Sequence, residues 1–229
     1  MKAIIFSLLG WMFLPVMDGF AKFLSSELPI LQITWSRYFF TVVFILPIMF
    51  FFFNKQLVWS DKPKLQILRG LILLSANIFF FYSISIISLA KALTLAFIAP
   101  LIVTAFSPLF LGEKVGFRRW TAVTIGFIGS LVVIRPGFLE LNIASLAALC
   151  TGFLYGFYLI ITRKLSTSDN PLLTLLITGL VGATLVSLVI PFYWIKPTLN
   201  QWSLMAGIGA FACIGHLFLI MSLKYADAS

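Results

Sequence analysis

Ionisable side chains that could carry acid–base or metal chemistry are few in this 229-residue chain: seven Asp and Glu residues and one His. They are scattered over different apolar runs. Enzymes that work by proton transfer or through a metal ion need such groups clustered at one place. One histidine does not make a metal site, and Cys150 and Cys213 lie inside apolar runs without disulfide or metal-binding spacing. The sequence therefore predicts no catalytic residues, no metal site and no cofactor.

Some polar residues nevertheless lie inside apolar runs. Asp18 and Arg37 fall at similar depth in consecutive runs. We expect Arg37 to face the interior, as a partner for Asp18 or for an anionic group on a ligand; alternatively, Asp18 reaches the water interface alone. A histidine with the ordinary side-chain pKa of about 6.5 could titrate in the working range, so His216 is expected to be either a neutral hydrogen-bonded core residue or a proton relay. The amide of Asn77 must bond a neighbouring element or a ligand.

Prolines and aromatic residues add further candidates. Pro100 falls inside an apolar run, where it removes a backbone donor and can expose polar backbone to a ligand, although such prolines are also tolerated in ordinary spans. Aromatic rings that could line a cavity and select a flat or cationic ligand are Trp11, Trp35, Tyr82, Tyr155 and Tyr158. Two faces of small residues predict close helix packing: Gly152 with Gly156, and Ala122, Gly126 and Ser130.

The elements that must position these residues follow from composition. Hydrophobic residues make up 61% of the chain and charged residues only 10%, whereas a soluble domain has about 25% charged residues. Most of the surface must therefore face lipid. The net charge of +9 does not indicate nucleic-acid binding, because the basic residues lie between apolar runs.

The apolar runs predict an all-α membrane protein, a polytopic helical bundle. A helix needs about 20 apolar residues to cross the bilayer core. Eight spans are predicted, at 3–21, 30–53, 66–88, 92–111, 119–135, 141–162, 171–195 and 202–223. The first run is long and lacks a cleavage site, which favours a transmembrane helix over a signal peptide.

Basic residues predict a cytoplasmic N-terminus. With that orientation, eleven basic residues lie at inner ends of the spans: Lys2, Lys55, Lys62, Lys64, Arg69, Lys114, Arg118, Arg119, Arg163, Lys164 and Lys224. Four lie at outer ends: Lys22, Lys91, Arg135 and Lys196. The positive-inside rule therefore places the chain, as a multi-pass protein, in the inner (cytoplasmic) membrane with its N-terminus inside.

An internal repeat accounts for the order of features. KFLSSELP at 22–29 matches RKLSTSDNP at 163–171, and ISLAKAL at 87–93 matches KYADAS at 224–229. These matches predict a unit of five spans, with the first repeat at 1–137 (spans 1–5) and an incomplete second repeat at 138–229 (spans 6–8). Because five is odd, the two repeats lie in opposite orientations, a construction common in secondary transporters.

The stretch ISLAKALTLAFIAPLIVTAFSPLFLGEKVGFRRWTAVTIGFIGSLVVIRPG, residues 87–137, resembles the first half of EamA-type permeases of the drug/metabolite transporter superfamily. The residues that carry the resemblance are Ala90, Ala92, Pro100, Leu111, Gly112, Glu113, Gly126 and Gly129, with Arg37 and His216 outside the stretch. The resemblance implies ten helices in two inverted five-helix repeats. Eight of the expected ten spans are present, so we expect the chain to be a fragment or a natural truncation.

Gly112 and Glu113 end the fourth span, and Arg118 and Arg119 follow. A carboxylate suits a helix C-terminus poorly, so we expect Glu113 to pair with Lys114, Arg118 or Arg119 and to fix the loop; the alternative is a proton-carrying role.

The predicted function is secondary transport of a small organic metabolite, such as an amino acid, an amine or a nucleoside, by alternating access. The expected partners are the solute, the lipid bilayer and a second copy in a homodimer. The alternative is a non-transporting or structural membrane subunit, or an inactive fragment of a carrier; the scattered acids disfavour an intramembrane enzyme.

Overall fold

The computed structural model describes residues 1–52, 60–134 and 142–225, of which the side chains of 52, 133 and 134 are not described. In these ranges the chain is almost entirely helical, without a strand. The helices are α1 (Lys2–Leu24), α2 (Ile30–Phe52), α3 (Pro63–Ile86), α4 (Leu89–Ala96), α5 (Ile98–Leu111), α6 (Phe117–Ile134), α7 (Ile143–Ser166), α8 (Pro171–Val189) and α9 (Leu199–Tyr225). A short 3-10 helix (Ile190–Tyr193) extends α8.

The polytopic helical bundle predicted from hydropathy is confirmed. Within the described residues, seven spans are long and apolar enough to cross a membrane, and α4 and α5 together form one of them. The remaining predicted span, 119–135, corresponds to α6. Helices satisfy their own backbone hydrogen bonds, which lipid cannot do, so each apolar run between turn signals is helical; only the run that forms α4 and α5 is divided into two helices among the described spans.

Local signals fix where the helices begin. The Asn170 side chain accepts a hydrogen bond from the backbone N–H of Leu172 at 2.9 Å, and Pro171 occupies the first turn of α8. Asn142 caps α7 through the N–H of Ser145, also at 2.9 Å. Asparagine caps and a first-turn proline satisfy or remove backbone donors that have no partner inside the helix.

The bundle is built from antiparallel helix pairs: α1 lies against α9, α3 against α7, and α2 against α8. In the first pair, Phe6 stacks on Phe218 with ring centroids 6.0 Å apart, and Phe20 meets Phe211 at 5.6 Å. Large apolar side chains such as Phe192 point outward. An apolar exterior of this kind suits a lipid environment.

Close approach between helices confirms one of the two predicted small-residue faces. A Cβ added at Gly152 of α7 would lie 2.6 Å from the Ala96 carbonyl oxygen and 2.5 Å from Ile98 Cγ2, so only glycine fits. The prediction for the other face is wrong at Gly126, because a Cβ there would meet no described atom within 4 Å. Gly126 is exposed on α6.

Candidate functional site

A cavity of about 130 Å³ lies among α1, α3, the α4–α5 break, α7 and α9. A cavity of about 150 Å³ can hold a benzene molecule, so this one has room for about one six-membered ring. Its lining residues are Trp11, Leu14, Met17, Asp18, Ala76, Asn77, Phe80, Leu93, Ala96, Phe97, Ala99, Pro100, Thr151, Tyr155, Leu159 and His216. The cavity brings together six of the predicted candidates: Trp11, Asp18, Asn77, Pro100, Tyr155 and His216.

Pro100 produces the helix break that forms one wall of this cavity. Helix α4 ends at Ala96 and α5 begins at Ile98. Pro100 lacks the N–H that would bond the carbonyl of Ala96, four residues earlier, and its ring crowds that carbonyl. The freed Ala96 carbonyl lies against Gly152, so the break and the glycine of α7 fit each other. The predicted break therefore occurs one turn before the proline.

Asp18 and Arg37 do not form the expected pair. Asp18 is only 7% exposed, and among the described residues its carboxylate has neither a hydrogen bond nor an ion pair within 4.0 Å. Arg37 turns to other partners: its Nε donates to Met17 Sδ at 3.4 Å, and its Nη2 donates to His216 Nε2 at 2.7 Å. Its guanidinium carbon lies 4.8 Å from the centre of the Tyr38 ring. Arg37 is therefore buried beside the cavity and does not line it.

The contacts of His216 define its tautomer. A guanidinium only donates hydrogen bonds, so Nε2 accepts from Arg37. The ring's Nδ1, 3.1 Å from Tyr158 Oη, then carries the proton and donates to that oxygen. A doubly protonated ring would place two donors face to face. The geometry fits the predicted neutral, hydrogen-bonded core histidine.

Sequence reasoning missed the role of Arg69, which it counted among the basic residues at inner span ends. Arg69 is fully buried. Its N–H groups donate to side-chain oxygens of Gln66, Tyr158, Thr162 and Thr178 and to the Thr174 carbonyl, at 2.8 to 3.3 Å. These bonds join α3, α7 and α8. The available signal was an arginine in the second turn of α3 together with Thr174 and Thr178, one helical turn apart on α8.

A polar network extends from Arg69 in both directions. Toward the cavity, Tyr158 links Arg69 to His216 and so to Arg37. In the other direction, Gln66 Nε2 donates to Asp169 Oδ2 at 2.6 Å. We call these six residues, Arg37, Gln66, Arg69, Tyr158, Asp169 and His216, the arginine network. Each side chain in it has a partner, as buried polar groups require.

Two tyrosines on α7 differ in their surroundings. Tyr155 and Tyr158 stack with ring centroids 5.3 Å apart. Tyr158 belongs to the arginine network, whereas the Tyr155 hydroxyl is buried without a hydrogen-bond partner among the described residues. Trp11 meets the Tyr155 ring edge-on at 6.4 Å. Tyr155 lines the cavity, and Tyr158 lies behind its wall.

The other aromatic candidates and Asn77 have structural partners. Asn77 Nδ2 donates to Tyr38 Oη and to the Leu73 carbonyl, each at 2.7 Å, while Asn77 also lines the cavity. It therefore fulfils the expected bond to a neighbouring helix. Tyr82 packs against the hydrophobic core and does not line the cavity. Trp35 Nε1 donates to Ser187 Oγ at 2.9 Å, also away from the cavity.

Glu113 joins two helices. Gly112 adopts a left-handed conformation, with φ of 70°, and ends α5. Glu113 then pairs with Arg163 of α7, Nε to Oε1 at 3.4 Å. Arg163 Nη1 also donates to the Leu223 carbonyl of α9 at 2.6 Å. The sequence predicted only the neighbouring cations as partners, because Arg163 is distant along the chain.

Comparison with known proteins identifies a matching family. A family model described as the EamA-like transporter family matches residues 1–135, more than half of the chain. The chain belongs to the EamA-like transporter family. The resemblance drawn from residues 87–137 is thereby confirmed.

Relatives of this EamA-family chain are named as transporters. It is 24% identical over 226 residues to an S-adenosylmethionine uptake transporter of Rickettsia bellii, covering 96% of this chain and 77% of the relative. It is 24% identical to a riboflavin transporter of Vibrio cholerae, with coverage of 93% and 73%. A pseudopaline exporter of Pseudomonas aeruginosa, CntI, is 26% identical, with coverage of 93% and 75%.

A solved crystal structure has the same fold. It aligns with a TM-score of 0.77 at 16% identity, over 97% of this chain and 80% of its own. The family and its relatives make this EamA-family chain a multi-pass small-molecule transporter and point away from an enzyme.

Proposed function

We propose that this chain is a secondary transporter that carries a small organic metabolite across the cytoplasmic membrane by alternating access. The cavity at the α4–α5 break carries the proposal. It combines the features expected of a solute site: a concave, mostly apolar lining with a few polar groups, located at a discontinuous helix inside a membrane bundle.

The packing supports two inverted repeats, 1–137 and 138–229, of which 1–52, 60–134 and 142–225 are described. In this arrangement α1 of the first repeat corresponds to α7 of the second, α2 to α8, and α3 to α9. Exchanging the two repeats therefore turns the contact between α1 and α9 into the contact between α7 and α3. Both pairs are in extensive contact. The contact between α2 and α8 is unchanged by the same exchange, because each of these helices takes the place of the other. Most of the KYADAS match, residues 226–229, lies outside the described residues.

Alternating access needs contacts that open on one side at a time. At one end of the bundle, Arg163 holds Glu113 and the Leu223 carbonyl together. At the other end, Lys22 Nζ donates to the carbonyls of Ile84 and Ile87, which ties α1 to α3. We propose the Arg163 contact as the inner gate and the Lys22 contact as the outer one.

The orientation proposal follows from basic residues. Arg69 belongs to the arginine network, so it leaves the inner set of eleven and ten remain against four outer ones. The excess still favours a cytoplasmic N-terminus. Labelling of single cysteines placed at Lys2 and Lys196 by an impermeant reagent tests this. The cysteine at position 196 should react in intact cells, whereas the cysteine at position 2 should react only after lysis.

Counterflow in liposomes tests transport. The purified chain is reconstituted with S-adenosylmethionine or riboflavin inside, the solutes in the names of its relatives, and uptake of the same labelled solute is measured. Uptake above protein-free liposomes is expected for at least one solute of a panel that also includes amino acids and nucleosides. Uptake equal to protein-free liposomes across the panel would contradict the proposal and favour a non-transporting membrane subunit.

A further inference from the structure

The charge of the cavity lining comes from one acidic residue. Among the described lining residues, Asp18 is the only Asp or Glu, and no Lys or Arg is present. The two nearby arginines are held in the arginine network, Arg37 by His216 and Arg69 by three helices. His216 is neutral in the tautomer that these contacts require. The Arg37 charge behind the lining attracts Asp18, but no cation in the lining itself bonds this carboxylate, which remains open to a ligand.

The Asp18 carboxylate lacks a hydrogen-bond donor among the described residues. It is 7% exposed and accepts no hydrogen bond from any described side chain. Burial of an unpaired carboxylate is costly, and ionisable groups inside membrane spans face a partner or a cavity. Asp18 faces the cavity. A ligand with positive charge and N–H donors would supply the missing partner.

Two further polar groups of the lining, on Asn77 and Tyr155, can also accept a hydrogen bond. Both Nδ2 protons of Asn77 are donated to protein oxygens, which leaves its Oδ1 as the free group. The Tyr155 hydroxyl is buried without a described partner. The rings of Trp11, Phe80, Phe97 and Tyr155 complete the lining. Aromatic faces attract cations, so the rings and the acceptors favour the same ligand.

We propose that the cavity binds an organic cation, with its charged nitrogen at Asp18 and a flat apolar group among the aromatic rings. In the conformation described here the cavity has room for the part of the ligand that is about the size of one six-membered ring. This inference rests on the proposed transport function and specifies its substrate class.

Three probes of similar size test the inference by calorimetry on the purified chain in detergent. Benzylammonium is a cation, benzyl alcohol has the same number of non-hydrogen atoms without charge, and benzoate is an anion. We expect benzylammonium to bind at least about tenfold more tightly than benzyl alcohol, since the charge and the ring act together. Benzoate should bind most weakly. Equal affinities, or tightest binding of the alcohol or the anion, would overturn the inference.

Two variants locate the effect. Asp18→Asn keeps the shape of the side chain and should bring the benzylammonium-to-alcohol ratio close to one. Glu27→Gln removes the same charge from an exposed carboxylate outside the cavity, where Gln201 is its partner, and should leave the ratio unchanged. An unchanged ratio in Asp18→Asn would count against the assignment. The ranking of the probes by the wild-type chain stands even if this variant fails to fold.

Flux measurements separate this inference from the proposed function. If liposomes carry neutral or anionic solutes in preference to cations, the substrate class is wrong and transport stands. If the chain binds benzylammonium through Asp18 but moves no solute, the cavity assignment stands and transport fails.

Discussion

The arginine network and the cavity meet at helix α7 and at His216, which belongs to both, and they differ in how completely their polar groups are paired. Tyr158 accepts from Arg69 and contacts His216, whereas Tyr155, three residues earlier, has no described partner for its hydroxyl. Arg69 is fully committed to protein oxygens, whereas Asp18 has no hydrogen bond, and no ion pair within 4.0 Å, among the described residues. Satisfied buried groups hold helices together; unsatisfied ones at a cavity are available to a ligand.

The difference teaches which polar residues to assign to transport. Depth in the membrane does not separate the two groups, since Arg37 and Asp18 were expected at similar depth. What separates the two groups is whether the polar side chain has a hydrogen-bond partner within the protein. By that criterion Arg37, Arg69, Tyr158 and His216 belong mainly to the structure of the bundle, whereas Asp18 and Tyr155 remain candidates for solute contact.

Removal of Arg69 should give the largest effect on stability. Arg69→Met replaces the guanidinium by an apolar chain and leaves buried oxygens of Thr162, Thr174 and Thr178 without their donor. We expect the free energy of unfolding to fall by about 3 kcal/mol or more. Unfolding in mixed micelles with increasing SDS measures it.

The control for this variant is Arg118→Met, which removes an exposed arginine from α6 and should change stability by less than about 0.5 kcal/mol. If Arg69→Met unfolds at the same SDS concentration as Arg118→Met, the arginine network does not hold the bundle.

The cavity wall at the α4–α5 break should be sensitive to one methyl group. In Gly152→Ala the new Cβ meets the Ala96 carbonyl, which belongs to the backbone and cannot turn away. Overpacking of this kind costs about 1 to 3 kcal/mol. Gly126→Ala, on the open face of α6, should instead stabilise by up to about 1 kcal/mol through helix propensity. The same unfolding measurement compares them, and equal shifts would show that α7 is not tightly packed at the break.

The two tyrosines provide the smallest and most selective comparison. Tyr158→Phe deletes a hydroxyl bonded to Arg69 and His216, so we expect a loss of about 1.5 kcal/mol. Tyr155→Phe deletes a hydroxyl without a described partner, so stability should stay within about 0.5 kcal/mol of wild type or rise slightly. A larger loss in Tyr155→Phe than in Tyr158→Phe would reverse the comparison.

The amino-acid sequence by itself determined the helical membrane architecture, most helix bounds, the family and the break near Pro100. These features depend on properties of consecutive residues: the length of an apolar run, a proline, an asparagine cap. The same information pointed to Gly152 as a close-packing residue. Six of the ten candidate solute contacts line one cavity: Trp11, Asp18, Asn77, Pro100, Tyr155 and His216.

Tertiary structure alone decided which polar groups have partners. Arg37 bonds to His216 of α9, Glu113 pairs with Arg163 of α7, and Arg69 bonds to α7 and α8. The physical reason is that in a membrane the lipid-facing and interior faces of a helix are both apolar, so hydropathy does not fix its rotation. Only the packing of one helix on another turns Arg69 inward, leaves Gly126 outward, and encloses a cavity around Asp18.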